Sequence, residues 1–317
     1  MNRPVAVRAT VLRATTAAAA VILTVAGCAT SEPDAPSAAG SPSSGAGFPV
    51  TVGELTLDER PEQIVALSPT ATEMLFAIGA GDQVSAVDDN SNHPPEAPIT
   101  DLSGFTPNAE AIASYDPDLV VLSGDTNGVV AGLSRLDIPV YLAEAAVTLD
   151  DTYRQITELG TLTGHVDTAA DLVTTMRADI DKLVADAPTT AEPLTYYYEL
   201  DPTFYSVTSK TFIGSLFSLV GLENIADPAD ADDQSGGYPQ LSAESVIAAD
   251  PDLIFLADTK CCQQDAEAVA QRAGWSTISA VRAGQVVELD DDIASRWGPR
   301  VVDLVRSIVD AVAAATS

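Results

Sequence analysis

Two glutamates, Glu110 and Glu244, hold the same place in a fifteen-residue pattern that the chain carries twice. Residues 108–122 read NAEAIASYDPDLVVL and residues 242–256 read SAESVIAADPDLIFL, 134 positions apart, with seven positions identical. Each copy reads as a short helix, a turn and a buried strand, so each glutamate sits at a helix start. There a carboxylate either complements the helix dipole or stays free to pair with an external cation. Three more features offer chemistry. Arg296 carries a guanidinium that can take carboxylate, amide or hydroxamate oxygens by forked hydrogen bonds, and Asp292, four residues before it, can orient it if the stretch is helical. Cys261 and Cys262 are adjacent and can pair only with each other or with another molecule if the third cysteine, Cys28, is modified. Asn90, His93, Tyr205 and Trp297 complete the set of unusual loop residues.

The elements around these residues alternate. Residues 48–57 read as a strand pair turning at Gly53. Residues 64–68, 84–87, 119–122 and 140–143 read as buried strands with helical segments between them. Short apolar strands alternating with helices predict parallel sheets in an α/β fold. Pro69 to about Ile78 reads as a helix, with Thr70 or Thr72 as its cap and Glu73 near its positive end. Residues 149–162 and 167–187 lack strand signals, and Leu172, Met176, Ile180 and Leu183 recur at helical spacing. The second stretch predicts a connecting helix long enough to span two lobes. Strands at 194–200, 253–257 and 286–289, a helix at 212–220 and a closing helix at 300–314 complete a second α/β lobe.

The expected organisation is therefore an N-terminal lobe over 48–148, a connecting helical segment over 149–188 and a C-terminal lobe over 189–317. Two Rossmann-like lobes joined by a single long α-helix leave a ligand cleft between them. Parallel sheets bind ligands beyond the carboxyl ends of their strands. The loops leaving Val87, Leu122, Leu200, Ala257 and Leu289 are its candidate lining.

Residues 1–27 read as an export signal, with Arg3, Arg8 and Arg13 before a short apolar run. The run ends in Val25-Ala26-Gly27-Cys28, which resembles a bacterial lipobox and makes Cys28 the lipidated first residue of the mature chain. Residues 28–47 are rich in Ser, Ala, Pro and Gly and read as a flexible tether to the membrane. The 46 acidic against 15 basic residues, a net charge of −31, exclude nucleic acid as a partner. Two histidines are too few for a zinc or manganese site built from several of them, so no metal site is expected. No GxSxG elbow or Walker A loop is present, so the expectation is a binding protein rather than an enzyme. A secreted hydrolase with another site, or a sensory lipoprotein that has lost transport, are the alternatives from other classes.

With these blocks in place, the chain resembles the substrate-binding lipoproteins of bacterial ABC importers for iron–siderophores, haem and vitamin B12. IVALSPTATEMLFAIGAGDQVSAV at 64–87, HPPEA at 93–97, NAEAIASYDPDLV, GLENIA at 221–226, PQLSAESV and ASRWGPRVVDL carry the resemblance. It implies little hinge motion and an ABC permease dimer, with its cytoplasmic ATPase, as partner. It also implies that Glu110 and Glu244 each meet arginines on one of the two permease subunits. Against the vitamin B12 binders, Phe105, Tyr238 and Trp297 fall at or near cleft-facing aromatic positions, and Arg296 matches a cleft arginine. Phe105 lies five residues before Glu110 and Tyr238 six before Glu244, so both lobes set an aromatic ahead of the glutamate. Tyr198 and Glu199, ending the LTYYYEL strand, are further candidate contacts. The implied cargo is cobalamin or a ferric siderophore, with haem as the alternative and no intrinsic cofactor. His93 as an axial haem ligand competes with HPPEA as a plain turn. Cys261 and Cys262 are expected to form a vicinal disulfide at the cleft mouth, outside the reducing cytoplasm.

Overall fold

A computed structural model describes residues 47–317. The signal, the lipobox with Cys28 and nearly all of the tether lie outside the described residues. The chain opens with an antiparallel hairpin, β1 (Val50–Val52) and β2 (Leu55–Leu57). Four parallel strands follow: β3 (Ile64–Leu67), β4 (Val84–Val87), β5 (Leu119–Leu122) and β6 (Val140–Leu142). The second set is β7 (Thr195–Glu199), β8 (Glu223–Asn224), β9 (Leu253–Leu256) and β10 (Val286–Glu288), also parallel.

The two sheets have one topology. The spatial order is β4-β3-β5-β6 in the first and β8-β7-β9-β10 in the second. In each, the first strand lies between the second and third, and the fourth closes the far edge. The duplicated segment supplies the helix and third strand of both sheets, Ala109–Ala113 with β5 and Ala243–Ala249 with β9. β3, β5 and β9 are buried along their whole length, which is why they read as continuous apolar runs.

The repeated residues earn their identity locally. Asp116 in the turn after the first helix and Asp250 at the cap of the second both adopt the left-handed region, at φ 48° and 46°. Asp118 accepts the N–H groups of Glu62 and Gln63 at 2.8 and 3.0 Å, holding the chain where it enters β3. Asp252 does the same at the start of β7, accepting from Thr195 N at 2.9 Å. Leu119, Leu122, Leu253 and Leu256 are buried.

Between the lobes stand two helices, Leu149–Thr163 and Val166–Asp186, packed together across a turn at Gly164 with φ 76°. The 21-residue second helix is about 31 Å long at 1.5 Å per residue, enough to cross both sheets. Ala169, Met176 and Ile180 are its buried points. One apolar cluster runs from Ile64 and Met74 through Tyr153, Ile156, Met176 and Ile180 to Tyr198, Phe217 and Leu304. Smaller clusters around Val120 and around Trp275 fill the other faces of the two sheets. A shared core of this kind keeps any motion between the lobes small in amplitude. Among the described residues no helix is long and apolar enough to cross a membrane.

Two local expectations are corrected. The helix Pro69–Ala77 is capped by Ser68, whose Oγ accepts from Ala71 N, and not by Thr70 or Thr72. Glu73 lies past the first turn and serves a different end, described below. The two-residue strand β8 falls within GLENIA, too short for any periodic signal.

Candidate functional site

The carboxyl ends of β3–β6 and β7–β10 carry the loops that hold the candidate residues. Phe105, after β4, is 78% exposed, and Tyr238, after β8, is 47% exposed. Tyr205, after β7, is also exposed. These three aromatics present free faces from both lobes. Asn90 is exposed as well, and its side chain reaches only Asp89.

Four expected contacts lie elsewhere. Tyr198 is fully buried and donates its hydroxyl to Ala294 O at 3.1 Å. Strand alternation turns it into the core, where it meets Phe217 edge to face. Glu199 is also fully buried, because Arg272 takes both of its oxygens, at 2.5 and 2.6 Å. Trp297 is half-buried against the core and donates Nε1 to Gln155 Oε1 at 3.1 Å. It fastens the last loop to the Leu149–Thr163 helix.

Arg296 is the fourth. Arg296 is 9% exposed, and every hydrogen bond of its guanidinium is internal. Nη1 donates to Glu73 Oε1 at 2.8 Å and Asn92 Oδ1 at 3.0 Å. Nη2 donates to the Asn90 carbonyl at 3.1 Å and to Asp292 Oδ1 at 2.7 Å. Asp292 orients it from the short helix Asp291–Ala294, at the four-residue spacing. Arg300 adds a second fork on Glu73, with Nε to Oε2 at 3.0 Å and Nη2 to Oε1. That contact holds the Arg300 guanidinium above its ordinary pKa. Glu73 is 3% exposed and is the one charged residue of its helix, so these two arginines from the other lobe compensate its burial. Arg296 therefore ties the lobes together and has no free fork for cargo.

The tie continues through the loop after β9. The carboxylate of Asp291 accepts the N–H groups of Thr259, Lys260 and Cys261 at 2.9 to 3.1 Å. Lys260 Nζ reaches Asp290 at 2.6 Å and Asp292 at 2.8 Å, and Asn92 Nδ2 donates to Asp292 Oδ2 at 3.0 Å. Burial pushes the Asp292 carboxyl up, but Lys260, Arg296 and Asn92 together hold it below the usual range. Cys261 and Cys262 sit on this turn, their sulfurs within bonding distance of each other. Below them Asp258 is fully buried, and neither of its oxygens meets a hydrogen-bond donor. Burial and the neighbouring Glu199 carboxylate raise its pKa to about 7, against the pull of Arg272.

The histidines stand apart. His165 packs beside Arg60, whose Nη2 lies 3.2 Å from Nε2. Burial and that guanidinium lower its pKa. His93 precedes Pro94 in a turn and is half-buried beside Arg300 and Glu73. Among the described residues no group of three or more metal-binding side chains converges.

Glu110 and Glu244 are the second residues of equivalent helices, capped by Asn108 and Ser242. Both are exposed, and neither makes a hydrogen bond or ion pair with the described residues. The repeated Asp and Leu positions have internal work in both lobes. The two glutamates do not, so their side chains remain available to a partner.

Comparison with known proteins agrees with this frame. Residues 64–293 match the periplasmic binding protein family, and the chain belongs to it. An uncharacterized ABC transporter substrate-binding lipoprotein of Bacillus subtilis is 29% identical over 279 residues, covering 84% of this chain and 86% of that relative. A cobalamin-binding protein of Halobacterium salinarum is 32% identical over 279 residues, covering 83% of this chain and 74% of that protein. The crystal structure of the periplasmic vitamin B12-binding protein of Vibrio cholerae superposes with a TM-score of 0.68 at 28% identity, over 81% of this chain and 98% of that one. A periplasmic haem-binding protein from Roseiflexus sp. RS-1 shares the fold, with a TM-score of 0.69 at 24% identity over 79% of this chain and 99% of that one.

Sequence reasoning missed Glu73 and Asn92 as partners of Arg296, and Arg300 as the second arginine on Glu73. The available signal was a lone acid in an otherwise uncharged helix and two arginines four apart after β10. It also passed over Asp258, which no local pattern marks.

Proposed function

We propose that the protein is the lipid-anchored capture component of an ABC importer, held outside the cytoplasm through Cys28. Its cargo is a metal chelate of the corrinoid or ferric siderophore class. One observation supports the cargo class above the others: Phe105, Tyr205 and Tyr238 present open aromatic faces at the carboxyl-end loops of both lobes. A flat macrocycle or catecholate shell matches such faces, which gain both apolar burial and stacking. The cobalamin-binding and vitamin B12-binding names of the relatives point the same way.

The test is calorimetric unfolding of the chain lacking residues 1–28 against cyanocobalamin, cobinamide, haemin and ferric hydroxamate and catecholate siderophores. Cargo at ~100-fold over its dissociation constant adds about 2.7 kcal/mol of stability. A rise confined to the corrinoids or the siderophores is expected; a rise with haemin alone, or with none, removes the assignment.

In the exported protein Cys261 and Cys262 are joined as a disulfide and stiffen the turn that Asp291 holds. Alkylation of the denatured, unreduced protein should leave both sulfurs unmodified. Two adducts per chain would show free thiols and reject the pairing.

A further inference from the structure

Among the described residues, every hydrogen bond between the N-terminal lobe (48–148) and the C-terminal lobe (189–317) falls on one edge. Glu73, Asn90 and Asn92 supply one side, and Asp292, Arg296 and Arg300 the other. At a separate lobe boundary, residues 145–147 after β6 face Lys210, Phe212, Gly237 and Tyr238 across a cavity of about 380 Å³. No hydrogen bond crosses there, and Val147 is 61% exposed.

We propose that the Glu73–Arg296–Arg300 cluster is a one-sided latch, and that cargo enters through the unlatched Val147–Tyr238 edge. The asymmetry follows from what each edge would lose on parting. Opening the first strands the buried Glu73 carboxylate, whose only hydrogen-bond partners are Arg296 and Arg300 across the edge, and leaves Arg296 with Asp292 alone as its charge partner. Opening the second exposes a cavity that solvent already reaches. Thermal opening is therefore concentrated at the second edge, with the first as pivot. Lys260, through Asp290 and Asp292, draws the Cys261–Cys262 turn into the pivot, so the latch reaches past the lobe contact itself. Glu73, Arg296 and Arg300 are positioning residues: they set the lobe spacing that cargo meets without touching cargo.

The entry route rests on the importer reading, but lobe motion does not, so the experiment separates them. Spin labels carried on p-acetylphenylalanine leave Cys261 and Cys262 untouched. One pair at Val147 and Gln234 spans the open edge, and one at Glu96 and Ser295 spans the latch. In the protein without cargo, the distance distribution across 147–234 should be the broader. Glu73→Gln should widen the 96–295 distribution and leave the other little changed. If Glu73→Gln does not fold, Asp292→Asn keeps the Glu73 forks but removes the charge and one of the two acceptor oxygens shared by Arg296, Lys260 and Asn92, and should widen 96–295 by a smaller amount. Equal widths in the unsubstituted protein, or a 96–295 distribution that neither variant moves, overturns the latch. With a cargo that binds, Asp292→Asn should raise the release rate about tenfold with little loss of thermal stability, a split that a purely structural role would not give. An unchanged release rate overturns the positioning role, while the absence of any binding cargo in the panel bears on the importer reading alone.

Discussion

With Glu110 and Glu244 both replaced by arginine, cargo uptake should fall to background while cargo affinity stays unchanged. Both glutamates are exposed and bonded to nothing within the described chain, so the reversal leaves the interior intact. Each sits in the first turn of a helix, where losing the acid costs at most about 1 kcal/mol through the dipole. We propose that the two glutamates dock on arginines of the permease, where the change is far larger. Each attraction becomes a like-charge contact worth several kcal/mol, and two of them lower docking affinity by at least ~100-fold. The matched topology makes the two sites equivalent, so each single reversal should remove part of the uptake. Uptake in cells or proteoliposomes reads docking, and calorimetry on the isolated protein reads cargo binding. Unchanged uptake in the double variant would defeat the assignment. Lost cargo binding would move the glutamates into the cleft.

Most of the fold was legible because its signals are local. Buried strands such as IVAL and LVVL are continuous apolar runs between turn residues, and Leu172, Met176 and Ile180 mark a helix by spacing alone. The duplicated segment went further: a repeated Asp-Pro-Asp-Leu fixes the same helix end and the same strand entry in both lobes, and so reports a shared topology. The cleft was less legible because side-chain direction there depends on contacts far apart in the chain. Arg296 looked like a ligand fork while its partner Glu73 lies 223 residues away. Tyr196, Tyr197 and Tyr198 carry hydroxyls at successive strand positions, yet all three are fully buried, because the sheet is covered on both faces. The resemblance pointed to Arg296 as a cleft arginine, whereas every hydrogen bond it makes is to the chain itself.

Asp258 is the residue whose substitution should stabilise the protein, and the sign follows from its surroundings. It lies fully buried beside Glu199, with Arg272 already forked onto that neighbour and the Tyr197 hydroxyl lacking a partner nearby. Arg272 spends its donors on Glu199 and Gln264 and leaves Asp258 without one, so of the two neighbouring carboxylates one keeps its proton. The Arg272 fork stabilises the charge on Glu199, so the proton sits on Asp258, whose pKa burial and the Glu199 carboxylate raise, and Asp258 then donates to Glu199. The folded state thus binds a proton that the unfolded chain releases. Its stabilising effect is complete below pH 3.8, fades as pH rises, and is gone above about 7. Asp258→Asn retains a donor toward Glu199 and removes the charge. At pH 8 the variant should be more stable by on the order of 2 kcal/mol, allowing for solvent screening, and the advantage should vanish near pH 4. The acidic surface itself weakens the fold as pH rises, so the informative quantity is the difference between the two proteins in urea at each pH. Parallel stability curves for the two would show that Asp258 is ionised throughout, with a compensating cation that the Glu199–Arg272 pair does not supply. A converging pair of curves would place a bound proton beneath the Cys261–Cys262 turn at neutral pH, where its loss on alkalisation drives a second negative charge against the loop that Asp291 holds in place.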